Sequence, residues 1–211
     1  ITSYEEYKQY FYISDHHWNY KGAYEGYKEV MNLMGIEDVA KIKDEVCFKD
    51  TYYIGTKSRV NSSTDVMDEF CVYKFDYPKY EIINNKLNNE YGYKEQYFDG
   101  EYKKPTSYNH YNEFYGGDYG QVILTNNKNK ERENILIMAD SYSAPLNDLI
   151  AMNFYKTYII DIRRYKARTG ELFLYDEYIK NKNISKVLLL GDYRFYSNDE
   201  FIITHNIKEE I

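Results

Sequence analysis

The sequence predicts an α/β protein built around a mostly parallel sheet, and three observations predict it. First, the final third holds three short apolar runs, "NILIMA" (134–139), "TYIIDI" (157–162) and "KVLLLG" (186–191), of the kind that suits strands buried on both faces. Second, helical stretches separate them: "APLNDLIAMNF" (144–154), with Pro145 suited to a first helical position, and "GELFLYDEYIKN" (170–181), apolar at Leu172, Phe173 and Tyr178. Third, the resulting order β-α-β-α-β requires crossovers, which are right-handed and leave the strands parallel. A chain of 211 residues is long enough for one well-buried domain and short for two large ones, so residues 1–211 are read as a single domain.

Ahead of this core, "QYFYI" (9–13) reads as extended. From Tyr20 to Met34, Ala23, Tyr24, Tyr27, Val30, Met31 and Met34 recur at helical spacing, with Asn19 able to cap the start and Gly35 the stop. The region 48–125 carries short β-prone runs, Thr51–Ile54, Phe70–Phe75 and Gln121–Thr125, between polar turns. Within it "NNKLNNEYGYKEQYFDGEYKKPTSYNHYNEFYGGDYG" (84–120) has little aliphatic content and reads as long surface loops, so 48–125 is expected to form a loop- and β-rich insertion.

The net charge of −7 and the lack of a Lys/Arg cluster argue against a nucleic-acid partner. No window approaches the roughly 18 consecutive apolar residues of a membrane span. Tyrosine is abundant, with 28 copies against 10 phenylalanines. Its flat apolar face and polar tip suit half-buried strands and grooves that stack sugars, and a compositional bias of the genome gives the same excess. Cys47 and Cys71 have no CxxC spacing, which leaves neither a zinc ribbon nor a redox motif but permits a disulfide in a secreted protein. The chain opens at Ile1, without Met or a signal peptide, and is read as a processed or truncated product.

The chemistry concentrates in two places. "ADSYSAP" (139–145) stands at the exit of the first core strand, so Ser141 lies where a parallel sheet binds its ligands and where a backbone N–H can face a developing oxyanion; Ser141 and Ser143 also suit simple capping. "SDHHW" (14–18) stands just before the predicted helix and includes the chain's single tryptophan. In an extended segment residues two apart share a side, so Asp15 and His17 lie together and His16 points away. A carboxylate beside an imidazole is the pair that activates a serine hydroxyl. Two other readings stand beside it: a polar helix start, and a metal site, for which no HxxxH or Cys/His spacing follows.

With these residues in view, "DHHWNYKGAYEGY" (15–27) resembles the DHHW signature. Together with the later "ADSYS" it is similar to the DHHW and alginate-acetylation (AlgX- and AlgJ-like) branch of SGNH hydrolase-like proteins. "YYIGTKSR" (52–59) resembles a Gly-x-x-Ser element between them. The resemblance implies an SGNH-hydrolase-like three-layer sandwich with a central mostly parallel sheet and permuted motif order, the Asp/His element preceding the serine. It implies Ser141 as nucleophile, His17 as general base and Asp15 as the carboxylate that orients it, with no metal and no cofactor. The chain departs from the pattern at Ala139, where the serine block ordinarily has glycine, and separate Gly and Asn oxyanion blocks are not evident.

Tyr142, Trp18, Gly117 and Arg163 are the further candidates for substrate or oxyanion contacts. Trp18 packs beside the pair or serves as a core aromatic. Gly116 and Gly117 of "YGGDYG" (115–120) bring amides to the site or make a tight turn, and Arg163 binds a substrate carboxylate or sugar or makes a structural ion pair. The implied activity is O-acetyl transfer to, or acetyl-ester removal from, a cell-surface or secreted polysaccharide through an acetyl-serine. The acetyl donor would be handed over by a membrane acyltransferase. The expected location is extracellular or at the bacterial cell envelope, anchored by a segment preceding Ile1. The alternative is a catalytically inactive SGNH-like protein that binds glycan or another envelope component.

Overall fold

The structure is a computed structural model describing residues 2–61, 66–85, 92–101, 107–117 and 119–192. Its elements run α1 (Tyr4–Tyr10), α2 (Tyr20–Leu33), β1 (Asp44–Tyr53), α3 (Thr56–Val60), β2 (Asp68–Lys74), β3 (Glu81–Asn84), α4 (Lys94–Phe98), β4 (Ser107–Tyr108) and α5 (His110–Tyr115). There follow β5 (Gln121–Thr125), β6 (Asn134–Ala139), α6 (Asn147–Ala151), β7 (Lys156–Ile160), α7 (Ile162–Thr169), α8 (Tyr175–Asn181) and β8 (Ile184–Leu190). Among the described residues this is a mixed α/β protein with two sheets and eight helices. Its internal contacts divide it into two compact units, Ile1–Tyr77 with Gly92–Gly116, and Pro78–Tyr91 with Gly117–Ile211. The boundaries do not coincide with the expected insertion at 48–125.

In the first unit, the stretch expected to be extended begins as helix: Gln9 and Tyr10 close α1, started by Ser3, whose Oγ accepts the Glu6 amide at 3.1 Å. α2 starts where the sequence places it, Asn19 Oδ1 accepting the Lys21 and Gly22 amides at 3.0 and 3.1 Å, and stops at Gly35, whose φ of +68° favours glycine. Its apolar face buries Ala23, Tyr27, Val30 and Met31, and α2 packs on β2. β1 and β2 pair antiparallel with Cys47 opposite Cys71, and the two form a disulfide. β4 adds to the other side of β1 in parallel, giving the order β2-β1-β4.

The stretch read as surface loops behaves otherwise where it is described. α4 and α5 bury Tyr97, Tyr111, Phe114 and Tyr115; Tyr111 stacks on Tyr53 of β1, Phe114 meets Phe70 of β2 edge to face, Tyr97 lies tilted against Phe70, and Tyr115 packs on Tyr111 and Phe114. Aromatic side chains replace the aliphatic content whose lack suggested a loop, since each ring buries as much apolar surface as a large aliphatic residue.

The second unit holds a five-stranded sheet of order β3-β5-β7-β6-β8. The three apolar runs of the sequence are β6, β7 and β8, and β6 pairs in parallel with both neighbours. β5 and β3 extend the sheet antiparallel, so the sheet is mixed, with its parallel strands adjacent. Leu136, Met138, Tyr158 and Ile160 form one core with Ile162 and Tyr165 of α7 and with Phe173; Tyr178 and Ile179 of α8 pack against it. α6 packs on β5 and β7.

Three local expectations are corrected. β7 ends at Ile160 and Ile162 begins α7, because Asp161 accepts the Arg163 amide as an N-cap. Pro145 precedes rather than begins α6, which starts at Asn147 after a 3-10 turn at Ser141–Ser143. β8 is not buried on both faces: among the described residues it is an edge strand beside β6, and its exposure alternates along the strand, with Val187 and Leu189 half exposed on one face.

Candidate active site

The candidate residues fall in both units, and each group is described within its own. In the first unit, Ile13–His17 is a succession of bends rather than a strand. A bridge between Phe11 and Trp18 closes the loop, with the Tyr12 amide donating to the His17 carbonyl at 3.2 Å. The loop is tied to the chain around β1 and β2. The Asp68 carboxylate accepts the Ile13 and Ser14 amides at 3.0 and 2.9 Å. Ser14 Oγ donates to the Tyr53 carbonyl at 3.2 Å and accepts the Gly55 amide at 3.0 Å.

This cradle presents Asp15, which is completely buried, to four donors. Oδ1 accepts the Thr56 amide at 2.7 Å and lies 3.2 Å from His16 Nδ1. Oδ2 accepts the Tyr53 hydroxyl at 2.6 Å and His17 Nδ1. Burial alone would raise the carboxyl, but the hydrogen bonds from His16, His17 and Tyr53 and the charge of His17 outweigh it and hold Asp15 far below the usual carboxylate range. An ionised carboxylate only accepts, so His17 Nδ1 is the donor in this pair. His17 is itself buried, and its ring stacks on Tyr111 of α5 with centroids 4.4 Å apart and planes 23° apart.

The pairing of Asp15 with His17 is as expected, but the route is not. Because the segment bends, His16 does not point away: it contacts the same carboxylate, and its ring lies tilted by 36° beside that of His17 with centroids 4.0 Å apart. The ligand atoms of Asp15, His16 and His17 lie within 4.8 Å of one another, close enough for a metal ion. Each Asp15 oxygen already accepts two donors, which is the chemistry of a hydrogen-bond hub. The Gly-x-x-Ser resemblance falls on the cradle: a Cβ at Gly55 would lie 2.1 Å from Asp15 Cβ, and the Ser58 amide donates to the Ser14 carbonyl at 3.1 Å. Trp18 lies against α2, where a Cβ on Gly26 would meet its ring at 2.6 Å and one on Gly22 would meet its Cβ at 3.1 Å. Gly26 thus makes room for the indole, while Gly22 admits the Tyr10 carbonyl, which a Cβ there would meet at 2.2 Å.

In the second unit β6 delivers Ala139, and Asp140 caps the 3-10 turn Ser141–Ser143. The Asp140 carboxylate accepts the Tyr142 amide at 2.9 Å and the Asp192 amide at 2.8 Å, joining the ends of β6 and β8. Burial pushes its carboxyl up, opposed by those two amides. Gly191 is required there, since a Cβ would sit 2.9 Å from Asp140 Cγ. Ser141 and Tyr142 are half-buried at the carboxyl end of β6, the position the sequence assigned. Arg163 lies in the first turn of α7 and pairs with Asp161, Nε to Oδ1 at 2.9 Å and Nη2 to Oδ2 at 2.6 Å. Gly117 lies in irregular chain, and Gly116 before it, with φ of +81°, is the C-cap of α5.

No protein-family model matches the chain, and no curated protein matches it by sequence. Solved structures do match. A DHHW family protein from Eubacterium siraeum superposes with a TM-score of 0.63 at 20% identity, over 86% of this chain and 58% of that one. PatB1 of Bacillus cereus superposes with a TM-score of 0.69 at 23% identity, over 96% of this chain and 68% of its own. The fold is that of these proteins. PatB1 carrying a sulfonyl adduct superposes with a TM-score of 0.67 at 22% identity, over 96% of this chain and 67% of that one. The chain thus spans 58% of the Eubacterium siraeum protein and about two thirds of PatB1.

Tyr53, Gly55, Thr56, Asp68 and Tyr111 are the site residues the sequence reading missed. Only Gly55 carried a signal, in the Gly-x-x-Ser resemblance.

Proposed function

We propose that the chain is a serine-dependent acetyl-transferring enzyme of the SGNH-like sandwich class, acting on a cell-surface or secreted polysaccharide. The observation that carries this is the buried Asp15–His17 pair, a general base with its tautomer fixed. In the proposed reaction Ser141 Oγ attacks the acetyl carbonyl carbon while His17 Nε2 takes the hydroxyl proton. The tetrahedral intermediate collapses, the leaving alcohol departs with that proton, and acetyl-serine remains. A sugar hydroxyl then gives its proton to His17 and attacks the acetyl carbon, and the intermediate collapses to release Ser141, whose Oγ takes that proton from His17; water in place of the sugar gives hydrolysis. The Ser141 amide is the proposed oxyanion donor, and Tyr142, Gly117 and Arg163 are proposed to meet substrate, Arg163 by exchanging its Asp161 partner.

A fold shared with a protein that holds a sulfonyl adduct supports the nucleophile, because such adducts form when an activated group attacks a sulfonyl reagent. The Cys47–Cys71 disulfide supports a location outside the cytoplasm. Among the described residues no helix is long and apolar enough to cross a membrane. Turnover of an aryl acetate tests the reading. Ser141→Ala and His17→Ala should fall to background and Asp15→Asn should lose less than His17→Ala, with losses that do not add. Equal turnover by wild type and Ser141→Ala would refute the mechanism and leave the glycan-binding alternative.

A further inference from the structure

We infer that Tyr111 is a positioning residue for His17, its ring face fixing the tilt of the imidazole and stabilising the positive charge that develops when His17 takes the Ser141 proton. The inference rests on the reading above, in which His17 is the base. Asp15 holds His17 at one edge, through Nδ1, and the His16 ring lies tilted beside it with centroids 4.0 Å apart. Tyr111 meets the face instead, nearly parallel and in stacking contact.

The Tyr111 ring is itself immobilised. It is 1% exposed, stacks with Tyr53 at 6.3 Å, and meets Tyr12 and Tyr115 edge to face at 6.4 and 5.3 Å. Burial pushes its phenol well above its ordinary value, so the ring stays neutral and presents an electron-rich face. Among the described residues, the titratable groups near His17 include Asp15 and His16 on its own loop, Tyr12, whose amide donates to the His17 carbonyl, and Tyr53 of β1, which shares Asp15 with it. Asp15 supplies negative charge in the plane of the imidazole, and Tyr111 supplies negative potential across that plane. A cation over an aromatic face is attracted by the ring quadrupole, most strongly where water is excluded.

The test is the rate of Ser141 modification by a sulfonyl fluoride. Oγ bonds to sulfur, fluoride leaves, and the hydroxyl proton passes to His17 and on to solvent. Rates are followed by intact-protein mass spectrometry for wild type, Tyr111→Phe and the protein carrying pentafluorophenylalanine at 111, which keeps the ring's shape and reverses its face potential. Tyr111→Phe should react within about twofold of wild type, and the fluorinated ring about 2- to 30-fold more slowly, the span of a cation–π contact. A purely structural ring predicts equal rates for the two, and equal rates would overturn the inference alone. A Phe variant as slow as the fluorinated one would also overturn it, by assigning the effect to the hydroxyl. No adduct on wild type would remove the nucleophile reading and this inference with it. Melting curves for the three proteins establish that shape and folding are preserved.

Discussion

Replacing Gly55 with alanine tests how the Asp15 carboxylate is held. Gly55 joins β1 to α3 with a φ of −77°, which any residue adopts, so space rather than backbone freedom demands glycine there. A Cβ at 55 would lie 2.1 Å from Asp15 Cβ and 2.6 Å from both Asp15 Cα and the Ser14 carbonyl oxygen. Ordinary contact begins near 3.4 Å, so the two segments would have to part by about 1.3 Å. None of the three atoms lies on a flexible side chain, so no rotamer change absorbs the clash. The movement stretches the Thr56 amide to Asp15 contact of 2.7 Å and the Gly55 amide to Ser14 Oγ contact of 3.0 Å. Overpacking of this kind costs about 1–3 kcal/mol of stability. Misplacement by about 1 Å costs on the order of 100-fold in rate. Aryl acetate turnover, measured well below the melting transition, should therefore fall about 100-fold while the protein remains folded. Turnover within twofold of wild type, with an unchanged melting temperature, would refute the claim that this contact sets the position of Asp15.

Gly26→Ala should behave differently, because its clash is with the Trp18 ring rather than with the dyad. A loss of about 1–3 kcal/mol in urea unfolding, with turnover within about threefold, is the expected result. Cys47→Ser combined with Cys71→Ser opens a link between residues 24 apart and should cost about 2–4 kcal/mol, read as a lower denaturation midpoint. The lowered Asp15 carboxyl fixes a pH dependence. Its contribution to stability is fully present above the unfolded value, about 3.9, and is lost progressively as pH falls below that toward its much lower folded value. Asp15→Asn should flatten this part of the acid limb in thermal melts at a series of pH values.

The parts of the fold legible in the sequence are those whose pattern is local. The run 134–139 is β6 residue for residue, Gln121–Thr125 is β5, and Asn19 and Gly35 bracket α2 as caps do. What was missed obeys local rules that stronger patterns obscured. Ser3 with Glu6 three residues on is an N-terminal helix signal ahead of "QYFYI", and Asp161 and Gly170 bracket α7 between the end of the run read as a strand and the start of the stretch read as the next helix. The aromatic helices α4 and α5 were hidden because tyrosine-rich, asparagine-rich segments score as loop while their rings fill a core.

At the site, the proximity of Asp15 and His17 was inferred from strand alternation, yet a bent loop produces it, and the same bend brings in His16. The distant donors that fix Asp15 are Tyr53 and Thr56, 38 and 41 residues away in sequence, and the Asp68 carboxylate that accepts the Ile13 and Ser14 amides lies 55 and 54 residues from them. No short motif encodes contacts of that separation.

The most direct test of the central claim is intact-protein mass spectrometry of wild type and Ser141→Ala after exposure to a sulfonyl fluoride. The account predicts one adduct on wild type, mapping to Ser141 after proteolysis, and none on the variant. An adduct at another residue, or equal labelling of both proteins, would contradict it.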